Sequence, residues 1–198
     1  MPDNLLEQLL ERCQTVAVGS LREGAKLVQA VEALFPSQNQ LLNNIAGYVM
    51  VAPVRSKAAK LQDLATEIGE ELPATFDSAI ETQQIALSLL AARQILEALT
   101  LHISPGQSIV ERRWDTRIGT LLLKAGYKDN QLLIRAMLPC GGGMSLRTES
   151  ENNIVDRSDA GVVQLNLSNP CLDRSYSIRI QLDAPNSSDI TFTLQLQA

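Results

Sequence analysis

The residues of this chain whose types and spacing best suit chemistry are Pro139-Cys140-Gly141-Gly142-Gly143-Met144. Three consecutive glycines let successive backbone N–H groups close around an anion, and a thiol beside them is a candidate nucleophile. A phosphate loop of that kind opens a helix and carries a Lys-Ser/Thr pair. Here neither is present, and an alternating, strand-like segment follows from Met144. The segment is therefore read first as a strand-to-strand connection whose glycines take positive φ. An anion or ligand loop at Cys140, Gly141, Gly142 and Gly143 is the functional alternative.

His102 is the only histidine, so a Ser-His-Asp or Cys-His site would have to be built on it. Its surroundings, Leu99-Thr100-Leu101-His102-Ile103-Ser104, hold no nucleophile elbow and no E-x-x-H metal motif. The reading preferred for it is a cation at a helix C-terminus, where the dipole and free carbonyls favour positive charge. No catalytic residue and no cofactor are expected, and with one histidine and scattered cysteines no zinc site is expected either.

Asp129, Asp156, Asp159, Asp173, Asp183 and Asp189 fall in or beside expected turns, and calcium in sandwich domains is held by loop carboxylates gathered at one end. If Ile154-Val155 is not a strand, the loops with Asp129, Asp156, Asp159, Asp183 and Asp189 share an end. If it is a strand, they divide. Asp is also an ordinary turn residue. Arg112-Arg113-Trp114 joins two cations to the only tryptophan and is a candidate interaction site. The preferred reading is that Trp114 seals the junction between a helical layer and a sandwich while the arginines pair with acids such as Asp115. Glu70 and Glu71 are adjacent on an expected helix, do not face each other, and read as a solvated helix end.

The elements that must position these residues fall into two kinds. From Asn4 to about Ile103 the apolar spacing is helical. Leu5, Leu6, Leu9, Leu10, Cys13 and Val16 mark a first helix broken near Gly19-Ser20, and Leu21, Ala25, Val28, Val31 and Phe35 a second, closed by Pro36. Leu41 to Val51 is a short apolar run that suits a buried helix or a strand. Ser56 to Ile68 and Thr75 to Leu101 are further helices, the latter apolar around more than one face and so central. Ser104-Pro105-Gly106 marks the boundary between a helical domain, 1–103, and a β domain, 104–198.

Past that boundary the period becomes two. Ile109–Trp114, Ile118–Lys124, Leu132–Leu138, Met144–Glu149, Ile154-Val155, Val162–Ser168, Tyr176–Leu182 and Ile190–Leu196 alternate apolar with polar residues and are separated by turn clusters. One wet face implies antiparallel pairing, and short strands at this rhythm predict an immunoglobulin-like β-sandwich. The fold class expected is α+β, a helical part followed by that sandwich.

The 198 residues, 45% hydrophobic and 20% charged, are those of an ordinary globular protein, and a net charge of -5 excludes a sequence-independent grip on nucleic acid. The start, Met1-Pro-Asp-Asn, has no positive region before its apolar residues, no run is long enough to span a membrane, and three cysteines suggest no disulfide framework. A cytoplasmic protein is expected.

Several β segments taken in order resemble the C-terminal region of an uncharacterised family of longer cyanobacterial proteins, known as a domain of unknown function. They are Leu133-Ile134-Arg135 leading to Leu138-Pro139 and Gly141-Gly142, then Val163-Gln164-Leu165-Asn166-Leu167, Tyr176-Ser177-Ile178-Arg179-Ile180-Gln181-Leu182 and Phe192-Thr193-Leu194. The helix from Gln84 to Leu99 is similar to the helix preceding them in that family. The resemblance covers about the C-terminal half. It implies a sandwich after helices and carries over no catalytic residue. A helical module fused to a sandwich without chemistry suggests, by analogy of fold, an adaptor or regulatory module that is not an enzyme. The alternative is a sensor of an anion or calcium. A partner protein or a second copy is expected on the helical half, because Leu41–Val51 and Ile80–Leu101 supply more apolar surface than one sheet face covers.

Overall fold

The computed structural model describes residues 1–19, 21–51, 75–106, 109–148, 152–185 and 187–197. The expected helix Ser56–Ile68 and the Glu70-Glu71 pair lie outside them. The described chain is α+β, with four α-helices followed by nine strands in two sheets. It divides into two compact units, Met1–Leu96 and Glu97–Ala198.

In the first unit, helix α1 (Asp3–Ala17) buries Leu9, Cys13, Val16 and Ala17. Helix α2 (Glu23–Val31) follows its predicted face in part: Val31, and Phe35 just beyond the helix, are buried as the spacing predicts, but Leu27 and Ala30 are buried as well, whereas Ala25 and Leu21 are exposed. Lys26 turns inward as well, because its Nζ donates to the Ala17 carbonyl at the end of α1, at 3.0 Å, and so supplies that helix with a cationic cap. Burial holds the Lys26 ammonium below its ordinary range, against the pull of Glu23. A single 3-10 turn follows and stops at Phe35-Pro36-Ser37. The ambiguous third segment is helix α3 (Asn39–Val51), with Leu42, Ile45, Ala46 and Val49 buried.

The long helix is shorter than its apolar pattern suggests. Thr75 and Ser78 close a capping box around a 3-10 turn at Phe76–Ser78, Gln83 accepts the Ile80 N–H at 3.2 Å, and helix α4 then runs from Glu81 to Leu99. It is buried nearly all round, with Ile85, Ser88, Leu89, Ala92 and Leu99 wholly inaccessible. Cys13 Sγ reaches the Ala92 carbonyl at 3.7 Å, and the Arg93 guanidinium donates to the Val49 carbonyl near the end of α3.

At Thr100 the chain leaves the helix and becomes strand β1 (Thr100–Ile103), which pairs parallel with the last strand. Helical continuation to Leu101 is thereby corrected: the Thr and Ile side chains suit a pleated surface, and ladder partners along Thr193–Leu196 replace the last turn. The remaining strands are β2 (Val110–Thr116), β3 (Gly119–Lys128), β4 (Gln131–Leu138), β5 (Gly142–Arg147), β6 (Asn152–Arg157), β7 (Gly161–Ser168), β8 (Ser175–Leu182) and β9 (Ile190–Leu196). One sheet has the order β1-β9-β8-β5-β6 and the other β2-β3-β4-β7. From β3 onward the winding is immunoglobulin-like. A first hairpin stays in one sheet, β5 and β6 cross to the other, β7 returns beside β4, and β8-β9 close beside β5.

The two sheets share a core of Leu121, Leu123, Leu132, Ile134 and Leu165 against Met144, Ile178, Ile180, Phe192 and Leu194. Asp129 and Asn130, both at positive φ, form the two-residue β3-β4 turn of the kind whose twist matches the strands it joins. At the start of β8, Tyr176 makes the corner known from such sandwiches. Its hydroxyl accepts from the Cys171 N–H at 2.7 Å and donates to the Cys171 carbonyl at 3.1 Å.

Tyr176→Phe leaves both Cys171 backbone groups short of that partner and is expected to cost about 1–3 kcal/mol in urea unfolding. Burial holds the Tyr176 phenol above its ordinary range, so the stability it contributes is complete below its unfolded pKa and declines as pH rises through about 10. The variant should lack that part of the decline. An unchanged midpoint and an unchanged pH profile would contradict the corner's role. Ser88 Oγ and Thr193 Oγ1 are buried without a hydrogen-bond partner among the described residues. Ser88→Ala and Thr193→Val remove those hydroxyls with little loss of volume and should each raise stability by about 1 kcal/mol, measured in the same assay.

Candidate functional site

The glycine segment is built by crowding. Pro139, Cys140 and Gly141 make the turn, while Gly142 and Gly143 are already paired in β5, between β6 and β8. Gly142 has φ 152°, and a Cβ there would run into the Gln181 carbonyl; at Gly143 it would meet the Asp156 carboxylate. A side chain on Gly141 would strike the Ser158 carbonyl, and the Gly141 carbonyl accepts the Asp183 N–H at 2.8 Å. The residues read as an anion loop, Cys140, Gly141, Gly142 and Gly143, are thus together. What lies against the Cβ positions of the glycines is the Asp156 and Asp183 carboxylates and the Ser158, Gln181 and Val155 carbonyl oxygens, the electrostatic opposite of an anion cradle. The Cys140 thiol is half-buried and donates to the carbonyl of its own neighbour Gly141 at 3.1 Å.

The acidic loops divide, because Ile154-Val155 lies in the full strand β6. Asp129 and Asp173 sit at one end of the sandwich, where the Asn169 N–H donates to the Asn130 carbonyl at 2.9 Å. Asp159, Asp183 and Asp189 are at the other, with the Pro139–Gly141 turn. Asp189 is taken by Arg179, whose Nε donates to it at 2.7 Å, and Asp159 accepts from Ser158 Oγ at 3.2 Å. Among the described residues no cluster of three or more His, Cys, Asp or Glu side chains is placed to hold a metal ion.

His102 is corrected from a helix terminus to strand β1. It is exposed there, with Nδ1 3.3 Å from the Gln197 amide nitrogen. Arg112, Arg113 and Trp114 do not form one surface, because successive strand residues point to opposite faces. Trp114 and Arg112 take the inner phase of β2, opposite Leu121 and Leu123. The Trp114 ring stands at 89° to the Phe192 ring with centroids 6.1 Å apart, an edge-to-face contact worth about 0.5–1.5 kcal/mol beyond its area. It therefore closes the gap between the two sheets of the sandwich. Arg112 reaches the Thr100 carbonyl at 3.4 Å and ties β2 to β1. Arg113 lies on the outer face, where its Nε and the Thr120 hydroxyl donate to Asp115 at 3.2 and 2.8 Å. The Thr120 bond first, then Arg113, holds the Asp115 carboxyl below its ordinary range.

A different group of side chains comes together on that outer face. Leu122, Met137 and Val162 are consecutive cross-strand neighbours on β3, β4 and β7, and Met137 and Val162 are each 49% exposed. Each breaks the phase of its strand, as the neighbouring apolar residue points inward: Leu121 and Leu123, Leu138, and Val163. Doubled apolar residues in a segment of period two were the available signal. Beside this row lies a second one, Glu111–Lys124–Arg135–Gln164. Lys124 pairs with Glu111 at 2.7 Å, and Arg135 Nε donates to the neutral Gln164 at 2.7 Å.

In the helical unit the apolar supply of α3 and α4 is largely spent internally, and Leu6, Val18, Leu21, Tyr48 and Ile80 remain exposed. An open groove there is lined by Met1, Leu6, Phe76, Leu87 and Ala91, with Asp77 among its walls. No helix among the described residues is long and apolar enough to cross a membrane. No family model, curated protein or solved structure matches the chain.

Burial pushes the Cys13 thiol up to about 12, so it stays protonated and inert at neutral pH. Alkylation of the native protein should modify exposed Cys171 first, half-buried Cys140 more slowly and Cys13 only in denaturant. Labelling of Cys140 ahead of Cys171 would mark an activated thiol and reopen a nucleophile at the glycine turn.

Proposed function

We infer that this chain is a non-enzymatic protein–protein interaction module of the regulatory or adaptor kind, acting in the cytoplasm, and that its β half shares descent with the cyanobacterial family it resembles. The observation that carries the reading is the row Leu122–Met137–Val162. Three apolar side chains stand in register on a solvent face, where alternation alone would place polar ones. An apolar patch that folding does not bury gains its stabilisation from a partner surface. The sensing alternative finds less support: carboxylates and carbonyls beside the glycine segment disfavour an anion, and for calcium the described residues gather no group of three or more His, Cys, Asp or Glu side chains placed to hold an ion.

A photo-crosslinking amino acid at position 137, in protein expressed in its native source, should yield a discrete protein adduct. The adduct should vanish on Val162→Lys and be absent with the crosslinker at Gln181, an exposed position of the other sheet. Identical patterns from 137 and 181 would remove the basis for this interface.

A further inference from the structure

We propose that the outer face of the β2-β3-β4-β7 sheet binds a partner segment that is apolar and acidic, seating its apolar side chains on Leu122, Met137 and Val162 and a carboxylate on Arg135. This rests on the interaction reading above and adds the chemistry of the partner. Two independent features of the face converge on it.

The first is the apolar row itself. The second is the charge beside it. Lys124 and Arg135 are directly opposite on neighbouring strands and share the outer face, an arrangement of like charges that weakens a sheet. Lys124 is neutralised by Glu111, but among the described residues Arg135 has no acidic partner and only the amide oxygen of Gln164. The face therefore carries a cation without an acidic partner among the described residues, two residues along the strand from Met137, on a protein whose net charge is -5. A guanidinium next to an apolar surface is the recognition element for a carboxylate, which it binds bidentately.

A second copy of the chain is a poorer occupant. Stacking two such faces about a two-fold axis along the strands sets Lys124 over Arg135 of the other copy. With the axis along the apolar row, Glu111 falls over Asp115. Either way like charges meet, which disfavours the wrong partner. A segment with an Asp or Glu beside its apolar anchors relieves the Lys124–Arg135 repulsion and covers the row together.

The test is selection of peptides from a random dodecamer phage library on the immobilised full chain, followed by fluorescence anisotropy with the enriched peptides. The expected result is enrichment of sequences joining apolar residues to Asp or Glu. Their affinity should fall at least about tenfold on Met137→Lys or Val162→Lys, fall about tenfold on Arg135→Glu, and weaken as salt rises. All three substitutions are at exposed positions, and unchanged thermal melts would show that the fold is kept. Peptides that need Met137 but ignore Arg135→Glu would overturn the acidic partner and leave the interaction face standing. Peptides that bind Met137→Lys as well as the wild type, or no enrichment at all, would overturn both. A concentration-dependent dimer abolished by Met137→Lys would overturn the peptide partner in favour of self-association.

Discussion

The β half depends on one requirement: two pleated sheets have to be held face to face with nothing but side chains between them. Phe192 meets it at the centre. It is wholly buried on β9, between the ladders to β8 and β1, and its ring is met edge-on by Trp114 from the opposite sheet. Because β2 is the edge of its sheet, Trp114 closes the layer where the core would otherwise open to water. Tyr176 fixes the other constraint, the path by which the chain passes from β7 to β8, through both backbone groups of Cys171. With those contacts in place, the inward residues of every strand have one face to occupy, and a slip of one residue would expose them all.

Alternation made the β half legible because it reports directly on that requirement. Six of the seven strands from Ile118 to Leu196 follow the apolar phase closely, and the Ile154-Val155 fragment lies within the longer strand β6. The helical half was less legible, for a reason visible at two places. In α2 the apolar spacing pointed to Ala25 and Val28, yet a lysine took the inward position because a carbonyl at the end of α1 was within its reach. At Thr100 a helical pattern ended because a strand from the far end of the sequence offered a ladder. The Ala17 carbonyl belongs to the preceding helix and the β9 ladder to the far end of the sequence, so the period within one helix contains neither.

The glycine segment shows the same limit from the side of function. Three glycines in a row are equally the mark of backbone that must wrap a ligand and of backbone that must let neighbouring strands approach. Only the neighbours distinguish these, and here they are Gln181, Ser158 and Asp156. Likewise Arg112-Arg113-Trp114 reads as one cluster along the sequence, but a strand sends its members to opposite faces, so the tryptophan turns inward, half-buried at the sheet edge, and Arg113 becomes surface.

What alternation does carry about function lies in its exceptions. An apolar residue in the outward phase gains nothing from the fold. Leu122, Met137 and Val162 occur as the outward member of an apolar pair on three separate strands, and strand pairing brings these three into a single row. Leu133 on β4 and Ile154 on β6 are also apolar in the outward phase but stand outside this row, each without an apolar cross-strand neighbour. The adjacent Lys124–Arg135 pair is an exception of another kind, since a cross-strand site next to a cation favours an acid or a neutral residue. Both departures are unfavourable for the isolated domain, and both are relieved by the same event, the arrival of an apolar surface bearing negative charge. A sandwich whose inner face is this regular gathers three of its outward apolar residues side by side on one sheet, and that face is where a search for a binding partner starts.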